Sequence, residues 1–256
     1  MKEIVFLKNK TIPEDKYQEQ FESKGFNTHF VPLIQHTHLP NQALELFKNK
    51  EYLSDLKHII VTSQRTVECL YEEVIPSLSS DEKSKLFNKT VYVVGPATQE
   101  FMTRCGFKYV RGGSETGNGN LLADFIIKEL LVDKTPTNWN PLLFLVGEIR
   151  KDTITKKLTS AGLNVQEVVT YKTQPLEDNY ERFKQVITDS SWVVIFSSQG
   201  TKEIVQYVKD RRIKIASIGP STAKYLLDSG LEPEVVSKNP DPVSLYESIM
   251  PNLHKS

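Results

Sequence analysis

The stretch "IASIGPSTAKYLLDSG", Ile215 to Gly230, decides the reading of this chain. An apolar run stops at Gly219-Pro220, Ser221-Thr222 follow at once, and a helix-like pattern then closes on a glycine. Nearly the same words stand earlier as "VYVVGPATQEFMTRCG", Val91 to Gly106. A strand-to-helix turn used twice in this form predicts a site built twice.

Outward from these turns, short continuous apolar runs recur: "EIVFL" (Glu3 to Leu7), "HIIVTS" (His58 to Ser63), "LLFLVG" (Leu142 to Gly147) and "WVVIFSS" (Trp192 to Ser198). Runs of this length without alternation predict parallel strands covered on both faces by helices. Amphipathic stretches lie between them, such as Asp152 to Ala161 closing on Gly162. The alternation predicts α/β architecture.

The repeat extends beyond the two turns. The segment from Val5 aligns with that from Leu143, bringing Gly25-Phe26 against Gly162-Leu163; "VTSQRTVE" at Val61 matches "FSSQGTKE" at Phe196; Gly95-Pro96 matches Gly219-Pro220; and Leu121 matches Leu245. The order holds while the separation shrinks, so the chain reads as a duplicated half of about 120 residues with loop insertions in the first copy.

Composition narrows the function classes. The 256 residues are 39% hydrophobic, with 32 Lys plus Arg against 32 Asp plus Glu, a formal net charge of zero. That balance lacks the basic footprint of a nucleic-acid binder. Cys69 and Cys105 stand alone, so neither a zinc site nor a disulfide framework is expected, and a reducing, cytoplasmic compartment fits. The N-terminus carries no signal-like apolar stretch, and no window reaches the length of a membrane span. The polar tracts Ser77 to Ser84 and Val132 to Pro141 read as surface loops or helix ends.

A strand-to-helix junction leaves the first N–H groups of its helix pointing out from the carboxyl edge of the sheet, a cradle for carboxylates or phosphates that needs no lysine. Thr62-Ser63, Ala97-Thr98, Ser197-Ser198 and Ser221-Thr222 occupy equivalent places in the two copies. Any one of them satisfies its own helix as a cap; as a set they mark a binding edge. The glycine-rich "GGSETGNGN", Gly112 to Asn120, is either a flexible loop or a ligand contact, and it is not a phosphate-binding GxxxxGK[ST].

The five histidines, His29, His36, His38, His58 and His254, show no metal spacing, and "QHTH" (Gln35 to His38) reads as a solvated linker. No GxSxG, Cys-His signature or GxGxxG is present. An enzyme of this make-up works by holding and positioning a reactive substrate.

Together "VTSQRTVE", "VYVVGPAT", "LLFLVGEIRKDTITKKLTSAGLNVQEVVTYKT", "VVIFSSQGTKEI", "IASIGPSTAKYLLDSGL" and "NPDPVSLYESI" resemble, in order and spacing, the uroporphyrinogen-III synthase family. The resemblance implies two similar flavodoxin-like α/β domains with parallel sheets, joined by a two-stranded linker. One would comprise residues 1–33 with 175–256 and the other residues 34–174, with crossings near 30–35 and 168–174. It also implies a cytoplasmic, cofactor-free monomer that cyclises hydroxymethylbilane, a linear tetrapyrrole with eight carboxylates, to uroporphyrinogen III with inversion of the last ring and loss of water.

By the same resemblance, Tyr171 in "VVTYKT" is placed to hydrogen-bond the departing hydroxyl; the other reading is a half-buried tyrosine with a satisfied hydroxyl. Thr62 and Ser63 in "VTSQ", Thr98 in "GPAT", Ser197, Ser198, Gln199 and Gly200 in "FSSQG", and Ser221 and Thr222 in "GPST" would line the substrate cleft. Arg65 and Lys214 either neutralise carboxylates or are solvated surface charges. The rival function is a bilobal module that closes on a small anionic ligand without chemistry. A nucleotide-dependent enzyme is disfavoured by the missing phosphate-loop motifs.

Overall fold

The computed structural model describes residues 2–11, 14–131 and 141–253. His254 and the tract from Val132, save Pro141, lie outside the described residues. The strands, in chain order, are β1 (Lys2–Leu7), β2 (Phe26–Phe30), β3 (Ile34–His38), β4 (His58–Val61), β5 (Thr90–Val94), β6 (Tyr109–Gly113), β7 (Leu142–Gly147), β8 (Val165–Pro175), β9 (Trp192–Ile195), β10 (Lys214–Ser217) and β11 (Val235–Val236). The chain folds into two compact units, residues 1–35 with 174–256 and residues 36–173, and passes from one to the other within β3 and within β8.

Each unit has its own sheet. The first is ordered β11-β10-β9-β1-β2 and all its pairings are parallel. The second is ordered β3-β8-β7-β4-β5-β6, parallel from β8 through β6. The duplicated halves explain the match: β1, β2, β9, β10 and β11 correspond to β7, β8, β4, β5 and β6, and both sets take the doubly wound order 2-1-3-4-5. Each unit therefore combines the opening strands of one copy with the closing strands of the other.

Strands covered on both faces need apolar side chains on both, and the sequence supplies them. In β4, Ile59 and Val61 enter one cluster with Phe47, Val91 and Leu143, while Ile60 enters the opposite one with Tyr92, Phe144 and Leu158. In β1, Val5 and Leu7 pack with Phe183, Val193 and Val208, and Ile4 and Phe6 with Phe21, Val194 and Leu245. Each such side chain contributes about 1.5–3 kcal/mol through burial, which is why the strand runs carry no alternation.

Two sequence readings are corrected. Ser63 and Ser197 each accept a bond from the N–H two residues on, Arg65 and Gln199. The neighbouring strands agree, pairing Leu143 with Ile59 where Val5 pairs with Val193. Ser63 thus corresponds to Ser197 rather than Ser198, and the second copy carries one extra residue in that turn. "QHTH" crosses between the units as part of the strand β3, with only Gln35 and Thr37 exposed, rather than as a wholly solvated linker: Nδ1 of half-buried His36 is 2.9 Å from Thr173 Oγ1 of β8.

Candidate active site

In residues 36–173 the carboxyl ends of β7 and β4 sit side by side where the strand order reverses, the place where open α/β sheets bind ligands. A cavity of about 400 Å³ opens there, lined among others by Thr62, Ser63, Gly147, Arg150, Lys151 and Tyr171. The turns after β4 and β7 deliver Ser63 and the Arg150-Lys151 pair, and β8 delivers Tyr171. The start of the helix Gly119–Leu131 closes the rim with Asn118, Gly119 and Asn120.

Tyr171 owes its position to a break in the ladder. Val146 pairs with Val169 but Gly147 pairs with Tyr171, so Thr170 is an extra residue in β8, a bulge of the kind that re-aims side chains beside functional sites. The Tyr171 ring lies directly on Gly147: a Cβ added there would stand 2.5 Å from Cζ and 2.6 Å from Oη. Only glycine at the end of β7 leaves room for the ring. The Tyr171 carbonyl accepts from Glu148 N–H at 2.9 Å, fixing the turn beyond.

The hydroxyls form a directed chain. Arg65 N–H donates to Ser63 Oγ at 3.2 Å, and Ser63 Oγ donates to Tyr171 Oη at 3.1 Å. The phenolic O–H is left to donate into the cavity, and each bond polarises the next, so the phenol becomes a better donor than an isolated one. Ser63 thus serves as helix cap and phenol partner together.

Arg150 donates from Nε to Glu167 Oε2 at 2.8 Å and from a terminal nitrogen to the Glu148 carbonyl at 3.1 Å, clamping the turn after β7. Burial alone would raise the Glu167 carboxyl, but Arg150 and Thr155 hold it below its ordinary value, so the pair stays charged. Lys151, exposed on the same rim, is the second cation among the described residues lining the cavity.

The other residues singled out from sequence fall in several places. Arg65 is exposed and pairs with Glu68 at 2.7 Å. Thr98 is half-buried in the first turn of the helix Pro96–Arg104 and does not line this cavity. In the other unit, Ser197, Ser198, Gln199 and Ser221 are exposed in the turns after β9 and β10, and Thr222 Oγ1 donates to the Phe196 carbonyl at 3.3 Å. Gly200, at φ 71°, packs against Leu33 and Asn179. Lys214 opens β10 at the edge of the sheet opposite those turns, 5.7 Å from the Trp192 ring and 3.4 Å from the Asn252 carbonyl. Both Gly-Pro turns start helices with no side-chain cap, Gly95 and Gly219 standing at the Ncap and proline at the first helical position.

Sequence reasoning missed Arg150 and Lys151, while Asn118 and Asn120 close the glycine-rich segment that was open to either a flexible loop or a ligand contact. The usable signal for that pair was a basic dipeptide two residues beyond a buried strand ending in glycine, "LLFLVGEIRK". In the glycine-rich segment, Gly112 has structural work: a Cβ would lie 2.6 Å from the Val93 carbonyl, and buried Thr116 donates to that same oxygen at 2.9 Å. Among the described residues no group of three or more His, Cys, Asp or Glu is arranged for a metal, and no helix is long and apolar enough to cross a membrane.

Fold and cavity together define a duplicated, doubly wound α/β protein with a switch-point crevice suited to an anionic ligand. Comparison with known proteins makes the class specific. The family model described as "Uroporphyrinogen-III synthase HemD" matches residues 15–247, and the chain belongs to that family. It is 49% identical over 264 residues to the uroporphyrinogen-III synthase of Saccharomyces cerevisiae, covering 96% of this chain and 94% of that one. It is 36% identical over 254 residues to that of Schizosaccharomyces pombe, covering 98% and 97%. The crystal structure of uroporphyrinogen-III synthetase from Helicobacter pylori is similar with a TM-score of 0.65 at 17% identity, over 98% of this chain and all of that one, a likeness of fold.

Proposed function

We propose that this chain is a lyase that cyclises hydroxymethylbilane to uroporphyrinogen III. The observation that carries the reading is the family match across residues 15–247, supported by a relative 49% identical over nearly the full length. In the reaction the hydroxyl on the first ring leaves as water, giving an electron-poor azafulvene. The last ring attacks it through its substituted carbon, and the spiro product fragments and recloses with that ring inverted and a proton lost. The substrate closes unaided to the uninverted isomer, so the protein has to bias geometry rather than supply a strong reagent.

Our reading assigns Tyr171 the departing hydroxyl. With its oxygen accepting from Ser63, the phenol donates its own proton to the leaving oxygen and eases loss of water. Lys151 and the N–H groups opening the helix Thr153–Ser160 hold carboxylates of the bilane. The test is an isomer-resolved assay with freshly prepared hydroxymethylbilane. The wild-type protein is expected to yield the III isomer, and Tyr171→Phe to lower kcat about ten- to hundredfold with the fold retained. Production of only the I isomer at the spontaneous rate by the wild-type protein removes the assignment.

A further inference from the structure

The bulge that turns Tyr171 over Gly147 is held by side chains with no place in the chemistry. Thr170, the extra residue, is fully buried, and its Oγ1 donates to the Val146 carbonyl at 3.1 Å, at the point where the strand register shifts. Its hydroxyl proton is thereby committed. Thr66 Oγ1, also fully buried, lies 3.0 Å from Thr170 Oγ1 and must therefore be the donor of that contact. Thr66 stands three residues after Ser63, so both project from one face at the start of the helix Gln64–Cys69. Ser63 holds the Tyr171 phenol while Thr66 holds the residue before it. The Thr170 carbonyl is fixed as well, accepting from Leu39 N–H at 2.8 Å.

We propose that Thr66 and Thr170 form a latch, a pair of positioning residues that fixes the bulge and through it the aim of the Tyr171 phenol, and so the partition between inverted and uninverted products. The proposal rests on the role assigned to Tyr171. Neither threonine is among the residues lining the cavity; they act through the backbone of β8. Without the hydroxyl on Thr66, Thr170 keeps its bond to Val146, but the bulge loses its tie to the helix that carries Ser63. The phenol and its partner are then free to drift apart, and displacements of about 1 Å cost up to about a hundredfold in rate.

The test uses Thr66→Val, which keeps the shape and removes the hydroxyl, with Thr66→Ser as the conservative rescue. The full-length proteins carry 3-fluorotyrosine, and Tyr171→Phe identifies the Tyr171 ¹⁹F resonance. Thr66→Val is expected to stay folded, shift or broaden that resonance, lower kcat about tenfold and raise the share of the I isomer; Thr66→Ser is expected to restore all three. A folded Thr66→Val protein with the Tyr171 resonance unmoved overturns the latch. So does an unchanged kcat and isomer ratio in Thr66→Val when Tyr171→Phe alters both. A moved resonance in Thr66→Val, with Tyr171→Phe as active and selective as wild type, upholds the latch as a clamp on the bulge, overturns its hold on the product partition and removes Tyr171 from the chemistry.

Discussion

Adding one methyl group to Gly147 should disable the site without removing a polar atom. In Gly147→Ala the new Cβ would stand 2.5 Å from Tyr171 Cζ, whereas carbon contacts settle at about 3.5–4.0 Å. The ring has to retreat by about 1 Å. Its Oη begins 3.1 Å from Ser63 Oγ, and a shift of about 1 Å is large enough to break that hydrogen bond. A misplacement of this size costs up to about a hundredfold in kcat, equivalent to about 2.7 kcal/mol of transition-state stabilisation. Overpacking itself destabilises by about 1–3 kcal/mol, a Tm loss of several degrees that leaves the protein folded at assay temperature. The measurement is steady-state turnover of hydroxymethylbilane with the isomers resolved, alongside circular dichroism. Because the effect runs through the phenol, Gly147→Ala in a Tyr171→Phe background should fall no more than about twofold below Tyr171→Phe alone. A folded Gly147→Ala enzyme with wild-type kcat and isomer ratio refutes the reasoning.

Ser63→Ala removes a helix cap and the phenol's partner together, so Tm should drop by about 2–4 °C, from about 1 kcal/mol of lost capping, and kcat should fall about fivefold; a stability loss with unchanged turnover would separate the two roles. In the other unit, burial pushes the Asp15 carboxyl up, but Lys8 and the N–H groups of Thr11 and Tyr17 outweigh it and hold the carboxyl below its ordinary 3.8. A depressed carboxylate contributes stability that is complete above its unfolded value and lost as pH falls through the folded one. Asp15→Asn should therefore lower stability at neutral pH by about 1.5–3 kcal/mol, the range for a hydrogen bond to a charged group, and urea titrations should show its deficit against wild type narrowing below about pH 4. A deficit constant from pH 7 to pH 2 would show that Asp15 acts only as a cap.

The central strands were legible because burial on both faces leaves an unbroken apolar signature: "LLFLVG" is β7 residue for residue, and "HIIV" opens the predicted run as β4. Edge strands such as β6, "YVRGG", and β11, two residues long, carry too little apolar length to be seen. In the site, Tyr171 and Ser63 could be named from family likeness, but their contact could not. It depends on a one-residue bulge, and nothing in "VVTYKT" announces that Thr170 drops out of register. The Arg150-Lys151 pair was hidden by its ordinariness, since a basic dipeptide after a strand is what most solvated turns look like.

The interleaved strand order bears on how the polypeptide is made. β1 is an interior strand lodged between β2 and β9, so the opening segment cannot finish its sheet until Trp192 has been translated. Residues 36–173 reach the outside of the ribosome before residues 174–256 and contain all the partners of β4, β5 and β7. At about 5–20 residues per second the wait is on the order of ten seconds or more. For that interval Ile4, Val5 and Phe6, all fully shielded in the finished protein, travel with a bare edge, which makes the nascent β1 a natural client for a chaperone.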